Sequence, residues 1–291
     1  SLATHMAAAS AGDIINIAAN TYTGSFVPAN SGTAGSPIRI VGSQSNPGSV
    51  STTHGLSWAE GSARSYISWT GIKVNDDVVW WRANFCSLTY ARGDSGGMQL
   101  RRTSADVLSG GASQGNVISD CTFTQNVGAS YVTLLQGAYE NRFTRCRFFG
   151  TTTGATFDAM RGRYLFRSPN NTFTDCLLSI EAWGATNGEQ QAHGLRDSSR
   201  FNVFTRDTML LGMTSKAARR ALLSQSGSVP ASSDYNAWID CYYRSYATLD
   251  GSSNAAPPGG DGAPDLGAGV GGKGEAAAPV CTGGANGADG D

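Results

Sequence analysis

Hydrophobic and polar residues alternate in short stretches along most of this chain, and one such stretch recurs. Apolar residues stand at every second position, and Gly, Ser, Asn or Asp bounds each stretch. Period-two alternation rich in Phe, Val, Ile, Thr and Tyr predicts half-buried β-strands. The clear copies are GNVISDCTFTQ from Gly115, ENRFTRCRFFG from Glu140, NNTFTDCLLS from Asn170, RFNVFTRDTML from Arg200 and YNAWIDCYYRS from Tyr235.

The spacing of the copies predicts a solenoid. An Asn marks each copy, and the intervals between these Asn residues are 25, 30, 31 and 34 residues. Repeats of this length are single supersecondary units that stack on their neighbours, with variable loops between constant strands. We therefore expect an all-β parallel solenoid whose equivalent residues lie about 4.8 Å apart. Weaker copies begin at Ser65 and Trp81, and helical spacing occurs only near residues 2–10 and 213–223.

Cysteine fills one slot of the repeat, five residues after the Asn, in four of the five copies. Because Cys is small and commonly buried, this predicts a packed column of thiols at a narrow corner of the coils. Disulfides between neighbouring coils are an alternative that the spacing permits, whereas a metal column lacks nearby His. The predicted ladder comprises Cys86, Cys121, Cys146, Cys176 and Cys241, and Asp207 takes the slot in the fourth copy.

A second phrase precedes the first in each coil and supplies candidate binding residues. Its copies are MQLRR from Met98, TLLQG from Thr133, YLFRS from Tyr164, HGLRD from His193 and ALLSQ from Ala221. In each copy an apolar pair precedes a polar residue, which we expect to point outward. These residues are Arg101, Gln136, Arg167, Arg196 and either Ser224 or Gln225.

Two features of these stretches suggest sugar binding. Trp80 and Trp81 are adjacent in a strand-like stretch, so they face opposite sides, and an outward Trp81 would stack on a sugar ring. Arg167 and Arg196 are expected on neighbouring coils, where their like charges repel. Either a local acid such as Asp197 or an anionic sugar, gripped by the guanidinium forks, would offset that repulsion.

Composition excludes some functions and divides the chain. The net charge is −1 and only 15% of residues are charged, which argues against a general nucleic-acid binder. No apolar run is long enough to predict a membrane span. Residues 1–249 form the predicted solenoid domain, and 250–291 form a Gly-rich tail without aromatic residues, a composition that does not order itself. Lone Cys281 in this tail predicts a link to another copy or to another assembly subunit.

The N-terminal third adds a resemblance. AGDIINIAANTYTGSF from Ala11 and NSGTAGSPIRIVG from Asn30 resemble the opening of right-handed parallel β-helix proteins, and most nearly that of chondroitinase B and the alginate lyases. The resemblance implies a right-handed parallel β-helix over about residues 1–245. It also implies a capping helix at residues 2–9 that closes the end of the hydrophobic tube.

The same resemblance implies residues for catalysis. In that family a Lys acts as base, an Arg one coil later acts as acid, and acidic residues hold calcium. LRDSSRFNVFTRDTM from Leu195 is similar to the phrase that carries the acid, which places Arg196 there, with His193 nearby. One coil earlier, FRSPNNTFTDC puts Arg167 where the Lys belongs, and an Arg is a poor base because it stays protonated. No matching acidic cluster appears, so calcium is expected only if the protein is a lyase.

Two classes of function follow. The first and favoured one is an extracellular structural or adhesive β-helix, a subunit of a filament, sheath or virion-like assembly. The second is a secreted lyase acting on an anionic polysaccharide, or a relative that kept the groove and lost the chemistry. The residues proposed to contact the glycan are Trp81, Arg101, Gln136, Arg167 and Arg196.

Overall fold

The structure is a computed structural model. It describes residues 1–59, 62–102, 111–125, 131–152, 161–182, 190–196, 199–213, 219–225, 235–247 and 279–281. Over these residues the chain forms one α-helix, one 3-10 turn (Pro47–Ser49) and 26 short strands, almost all in parallel pairs. None of the described helices is long enough to cross a membrane.

Three strands follow one another in each complete coil, and each strand pairs with its equivalent in the next coil. The first face, sheet A, contains β1 (Ile14–Asn16), β3 (Ile38–Val41), β6 (Ile67–Thr70), β10 (Ser87–Thr89), β13 (Val117–Ser119), β16 (Arg142–Thr144), β19 (Thr172–Thr174), β22 (Val203–Thr205) and the start of β25 (Ala237–Ala247). The second face, sheet B, contains β2 (Asn20–Tyr22), β4 (Val50–Thr52), β7 (Lys73–Val74), β11 (Arg92–Gly93), β14 (Thr122–Gln125), β17 (Arg147–Thr152), β20 (Leu177–Ala182), β23 (Thr208–Met213) and the rest of β25.

The third face, sheet C, is shorter. It contains β8 (Val78–Trp81), β12 (Met98–Arg101), β15 (Tyr131–Gln136), β18 (Arg161–Phe166), β21 (Gln190–Arg196) and β24 (Arg219–Gln225). A small pair, β5 (Arg64–Ser65) with β9 (Ala83–Asn84), completes the early coils. The stacked parallel register establishes a right-handed parallel β-helix and confirms the predicted fold class. Helical spacing near residues 213–223 was misleading, because pairing of β24 with β21 makes residues 219–225 a strand.

Single left-handed residues turn the chain at the corner between sheets A and B. Their φ angles lie between 51° and 55°, and backbone N–H groups of this column donate to the next coil, as from Arg145 to Thr174 O at 2.9 Å. Left-handed backbone disfavours side chains with a Cβ, so these ladder bonds hold the turns in place. The column is Tyr90, Asp120, Arg145, Asp175, Arg206 and Asp240.

The residue after each of these turns points inward, and this explains the cysteine slot. The residues in this slot lie in one column, in the order Cys121, Cys146, Cys176, Asp207 and Cys241. The backbone carbonyl of each of the first four accepts a hydrogen bond from the first residue of the sheet B strand one coil later, which fixes that order. All four cysteines are buried free thiols, and each Sγ donates to backbone carbonyl groups. These four residues lie in one column as buried thiols, without disulfides among them.

Cys86 does not belong to this file. Its amide N–H donates to Asn116 Oδ1 at 2.9 Å and its carbonyl accepts from Val117, so it precedes Asn116 at the corner before sheet A. Ala91, one corner later, fills the slot above Cys121. The prediction was wrong for Cys86 because each coil has two inward corners, and one cysteine in a weak copy of the repeat does not fix which corner it occupies.

The Asn that marks each copy forms a second, buried column. From Asn116 to Asn202, the backbone N–H and Nδ2 of each Asn both donate to Oδ1 of the Asn one coil later, over 2.8–3.1 Å. At the two ends of the ladder, Asn116 Oδ1 accepts from Cys86 N and Asn236 Nδ2 donates to Ser199 O. Since buried amides need partners, the ladder satisfies the corner while it fixes the stacking of the coils. Its members are Asn116, Asn141, Asn171, Asn202 and Asn236.

Aromatic and aliphatic side chains fill the tube. Phe143, Phe173, Phe204 and Trp238 stack along the axis with ring centroids 4.6–5.4 Å apart. The N-terminal opening is covered by α1 (Leu2–Ala8), which buries Met6 against the core and thus confirms the predicted capping helix. Burial of these rings is the main stabilising contribution, because each removes a large apolar area from water.

The described part of the tail continues the stack. Strand β26 (Pro279–Cys281) pairs in parallel with β25, and Cys281 stands opposite Cys241. Residues 248–278 and 282–291 lie outside the described residues. The backbone of Cys281 thus lies beside that of Cys241 in the same chain. A covalent link from Cys281 to another chain stays a prediction.

Candidate functional site

One column of side-chain positions ends the strands of sheet C. Strand register aligns Trp81 with Arg101, then with Gln136, Phe166, Arg196 and Gln225. Arg101, Gln136 and Arg196 thus stand in the predicted column, whereas Arg167 does not. Phe166 takes that place because YLFRS aligns one residue earlier than its spelling suggests, and a one-residue shift moves a side chain to the other side of the strand.

Trp80 and Trp81 point in opposite directions, as expected from the pleat. Trp80 is fully buried among Trp58 and Trp69, whereas Trp81 is only partly buried. The guanidinium of Arg101, from the next coil, lies over the Trp81 ring with its Cζ 5.3 Å from the centroid. This cation–π contact holds a positive charge against an apolar face at the end of the sheet.

A second column of arginines lies immediately beyond the first. Arg82 and Arg167 follow the strand ends with left-handed backbone, φ 51° in both, and Gly137 does the same with φ 61°. Ladder bonds from Arg102 N to Gln136 O and from Gly137 N to Phe166 O set the stacking order. The order in the column is Arg82, Arg102, Gly137 and Arg167.

These two columns bring four arginines to one edge of the tube, which we call the basic corner. The basic corner is composed of Trp81, Arg82, Arg101, Arg102, Gln136, Gly137, Phe166 and Arg167. It extends over four successive coils, about 14 Å at the strand spacing. All four arginines are partly buried. Arg167 remains part of the corner, since its Cζ lies 4.9 Å from the Phe166 ring centroid.

Sequence reasoning missed Arg82, Arg102 and Phe166. Arg82 and Arg102 follow residues that were singled out, and the register of β8 on β12 is what brings them together. The sequence contained one signal: WWR, LRR and FR each place an Arg directly after the last residue of a strand. That signal has no meaning until the strands are aligned.

The turn column between sheets A and B pairs its charges along the tube. Along the A–B turn column the signs alternate, and Arg145 grips Asp120 through Nε at 2.6 Å and Nη2 at 2.8 Å. Arg206 grips Asp175 with the same two distances. The Arg206 contact lowers the pKa of Asp175. We call this column, from Asp120 to Asp240, the alternating corner.

A partly buried carboxyl begins the first strand of sheet C. Asp77 accepts from Gly97 N at 2.7 Å and from Gln99 Nε2 at 3.5 Å, which ties β8 to β12. Burial raises the pKa of Asp77, the Asp76 charge adds to the rise, and the Gly97 amide and Arg101 oppose it. The carboxyl therefore keeps a proton to higher pH than an ordinary Asp does, on the strand that ends in Trp81.

Of the residues named for catalysis, the structure describes the side chain of Arg167 and only the backbone of His193 and Arg196. Arg196 is placed by its backbone one coil after Phe166, and its side chain lies outside the description. His193 pairs in register with Arg163 on sheet C. The side chains described at this register position are buried inside the tube, and they are Val78, Met98, Thr133 and Arg163. Lys73, the lysine within the described ranges, is paired with Asp94 over 2.6 Å on sheet B. Lys216 lies among residues left undescribed.

The donor groups do not fit a calcium ion. Among the described residues no three His, Cys, Asp or Glu side chains converge. Asp94 is held by Lys73 and Arg92, and Asp77 by amide donors. Hard cations need several oxygen ligands at one point, and the described side chains do not supply them.

Comparison with solved structures finds parallel β-helix proteins. The chain is similar to an alginate lyase from Paenibacillus sp. str. FPU-7 (16% identity, TM-score 0.39, covering 85% of this chain and 96% of that one). It is similar to pectate lyase Pel9A (14%, 0.46, 88% and 76%) and to the A-module of the mannuronan C-5 epimerase AlgE4 from Azotobacter vinelandii (9%, 0.30, 83% and 90%). No protein-family model and no curated protein sequence matches the chain. At these identities the likeness concerns the fold alone, and no residue role is transferred from it.

Proposed function

We propose that this protein binds an acidic polysaccharide at the basic corner. One observation carries the proposal: four arginines from three of four successive turns of the solenoid lie at one edge of a chain whose net charge is −1. Concentrated positive charge on an otherwise balanced surface attracts a polyanion. The spread over several coils suits an extended ligand that runs along the tube axis.

The chemistry of the corner suits sugar acids in particular. Guanidinium groups bind carboxylate or sulfate in a forked geometry. Trp81 and Phe166 add aromatic surface beside the arginines, which suits the apolar faces of sugar rings. Gln136 offers an amide to hydroxyl groups from the middle of the column. A polymer that carries both hydroxyl groups and regular negative charges therefore fits better than a simple anion.

The test is direct binding to polymers of matched size and different charge. Isothermal titration or affinity electrophoresis would compare alginate, polygalacturonate and chondroitin sulfate with an uncharged glucan. We expect binding to acidic polymers alone, weakening with salt because exposed charges are screened. Arg101→Met should weaken binding about fivefold or more, as expected for loss of one charged contact beside an aromatic ring.

A matched control lies at the alternating corner. Arg206→Met removes the same charge from an exposed arginine on the same solenoid, away from sheet C. If Arg206→Met weakens binding as much as Arg101→Met, the attraction comes from overall charge and the proposed site is wrong. Equal binding to the uncharged glucan would also contradict the proposal.

Lyase chemistry is the second candidate, favoured by the position of Arg196 one coil after Arg167 at the same edge. A lyase must neutralise the uronate carboxylate and then move a proton, and the arginines supply the first requirement. Residues to test for the second are His193, Arg167 and Arg196, together with the raised-pKa carboxyl of Asp77. Ultraviolet absorbance of the unsaturated product would detect the reaction. Stable binding with no product from any uronate polymer would leave a binding protein.

The structural or adhesive role remains a separate proposal with less support. End-to-end assembly requires open strand edges, and α1 covers the N-terminal opening. Extracellular location suits both roles, and sedimentation over a range of protein concentrations would detect assembly.

A further inference from the structure

Aromatic residues occupy four of the seven positions in a column of left-handed backbone at the corner before sheet A. The φ angles in this column lie between 55° and 65°, a conformation that suits Gly and Asn and disfavours bulky side chains. Phe85, Phe201 and Tyr235 nevertheless expose 50%, 48% and 60% of their surface. The members of the column, in stacking order, are Tyr66, Phe85, Gly115, Glu140, Asn170, Phe201 and Tyr235.

The exposed rings are held by contacts with one another and with the backbone. Tyr66 stacks on Phe85 with ring centroids 5.2 Å apart, and Phe201 stacks on Tyr235 at 5.4 Å. The Phe85 ring also covers Gly115, where an added Cβ would stand 2.7 Å from ring atoms. None of these four described rings belongs to the core cluster. Exposed apolar surface of this kind marks an interaction site, and rings that are already fixed lose little freedom on binding.

A second column runs beside the first, two residues later in each coil, and faces outward from sheet A. Strand register aligns its members from one coil to the next. They are Ser68, Ser87, Val117, Arg142, Thr172, Val203 and Ala237. We call the residues of both columns the corner strip, which is about 29 Å long at the strand spacing. Of its members, all of them described, only Glu140 and Arg142 in the central coil are charged.

Within each coil, the two members of the corner strip are complementary in size or in chemistry. The pairs are Tyr66 and Ser68, Phe85 and Ser87, Gly115 and Val117, Glu140 and Arg142, Asn170 and Thr172, Phe201 and Val203, and Tyr235 and Ala237. Each aromatic member precedes a smaller side chain, and the glycine precedes an exposed valine. The acid precedes a base, and the amide precedes a hydroxyl. A two-fold interface brings residue i of each copy to residue j of the other, so this strip fits a second copy of itself.

We propose that two copies of this chain pair side by side along the corner strip, pointing in the same direction, about a two-fold axis parallel to the tube. Such an axis, lying between the two columns, places the first column of each copy opposite the second column of the other at the same level. Each aromatic ring then packs over a smaller residue, and Val117 packs over Gly115. This pairing does not depend on polysaccharide binding.

The charges of the central coil select this direction. Glu140 Oε2 accepts from Gln114 Nε2 at 2.8 Å within its own chain, whereas exposed Arg142 forms no ion pair with the described residues. In the parallel pair, Arg142 of each copy lies opposite Glu140 of the other, which gives two ion pairs across the axis. An antiparallel pair centred on the same coil would place Glu140 opposite Glu140 and Arg142 opposite Arg142, where like charges repel.

The size of the corner strip predicts a weak pair. With the positions that flank it, the strip is about 14 Å wide, because residues along a strand are about 3.4 Å apart. The resulting area of about 400 Å² on each copy lies below the ~1,200 Å² in total that stable complexes bury. We therefore expect a dissociation constant between about 1 μM and 1 mM, with the aromatic residues supplying most of the affinity.

Sedimentation equilibrium at protein concentrations up to about 1 mM, without any polysaccharide, tests the pairing. We expect a monomer–dimer equilibrium that Phe201→Asn weakens about tenfold, since an aromatic contact of the interface is lost. Asn suits left-handed backbone, so thermal unfolding should show an intact fold. The matched control is Tyr90→Asn, which removes an exposed aromatic residue from left-handed backbone at the turn between sheets A and B. A monomer at every concentration, or equal weakening by Tyr90→Asn, overturns the inference.

Charge reversals test the two ion pairs. Glu140→Arg and Arg142→Glu should each dimerise about tenfold more weakly by themselves, and an equimolar mixture of the two variants should recover the pairing as a heterodimer. The control is Arg147→Glu, which makes the same change at an exposed position of sheet B and should pair normally. If the mixture pairs no better than either variant, the inference is wrong.

A disulfide between copies tests the direction. The parallel pair places position 170 of one copy opposite position 172 of the other, within reach of a disulfide, whereas an antiparallel pair places position 170 opposite Gly115. In a Cys281→Ser background, Asn170→Cys mixed with Thr172→Cys should form linked dimers faster than either variant alone. A mixture that links no faster overturns the parallel arrangement. Because no polysaccharide is present, these outcomes leave binding at the basic corner to its own test.

Discussion

Arg163 and Asp207 form an ion pair inside the tube, with Nη1 2.6 Å from Oδ2 and each side chain only 1% exposed. Arg163 extends inward from β18 and reaches the slot that cysteine fills in neighbouring coils. Its guanidinium also lies 4.2 Å from the Phe173 ring centroid and 4.7 Å from that of Phe204. Asp207, which replaces cysteine in one coil, is therefore paired with an arginine that lies 44 residues earlier in the chain and belongs to sheet C.

Replacing one member of this ion pair should lower the free energy of unfolding considerably, whereas replacing both members together should lower it little. Arg163→Met leaves Asp207 buried without its partner, and we expect a loss of about 3–5 kcal/mol in the free energy of unfolding. Arg163→Met combined with Asp207→Cys restores the cysteine file and should recover most of the loss, since a packed apolar replacement of a buried pair is often neutral or better. Urea unfolding followed by circular dichroism measures both. A single variant as stable as the double variant would contradict this.

The five buried cysteines should be chemically inert in the folded protein. Burial raises the pKa of Cys86 to about 12 and that of Cys241 to about 11, and it raises the pKa of Cys146 well above its ordinary value. The thiolate is the reactive form, so a thiol reagent at neutral pH should label the five buried cysteines only after unfolding in urea. Rapid labelling of the folded protein, or a disulfide between neighbouring members of the file in a peptide map, would disprove it.

The asparagine ladder should contribute to stability through satisfied amides. Asn171→Ala removes the acceptor for the N–H and Nδ2 of Asn141 and the donor to Ala138 O. Because several buried groups lose partners, each worth about 1–3 kcal/mol, we expect a total loss of about 2–4 kcal/mol. The matched control is Asn170→Gly, an exposed left-handed neighbour, which should change the free energy of unfolding little. Equal effects would mean that the ladder adds nothing specific.

The alternating corner predicts a pH effect with a definite sign. The hydrogen bond from Arg206 lowers the pKa of Asp175 in the folded state. A lowered folded pKa contributes stability above the ordinary pKa of Asp, and this stability is lost as the pH falls through the folded value. Arg206→Met should return the Asp175 pKa towards its ordinary value in a carbon-detected carboxyl titration. An unchanged Asp175 titration would show that the ion pair is absent in solution.

The repeat in the sequence was sufficient to predict the parallel strands, the stacking of coils and the file from Cys121 to Cys176. Strand patterning and repeat length are local properties, and a solenoid converts local repetition directly into stacking. The capping helix before the first strand was also predictable. Cys86 was misplaced because a coil has two inward corners, and one cysteine in a weak copy does not indicate which corner it occupies.

The candidate site depended on tertiary register. Arg82, Arg102 and Arg167 come from three differently spelled phrases, and only the pairing of β8, β12, β15 and β18 places them at one edge. The same pairing puts Phe166 in the place expected for Arg167 and turns Arg163 inward to meet Asp207. Side-chain direction reverses with a one-residue shift. The sequence therefore determined that the chain would stack, and the strand register decided which charges would meet.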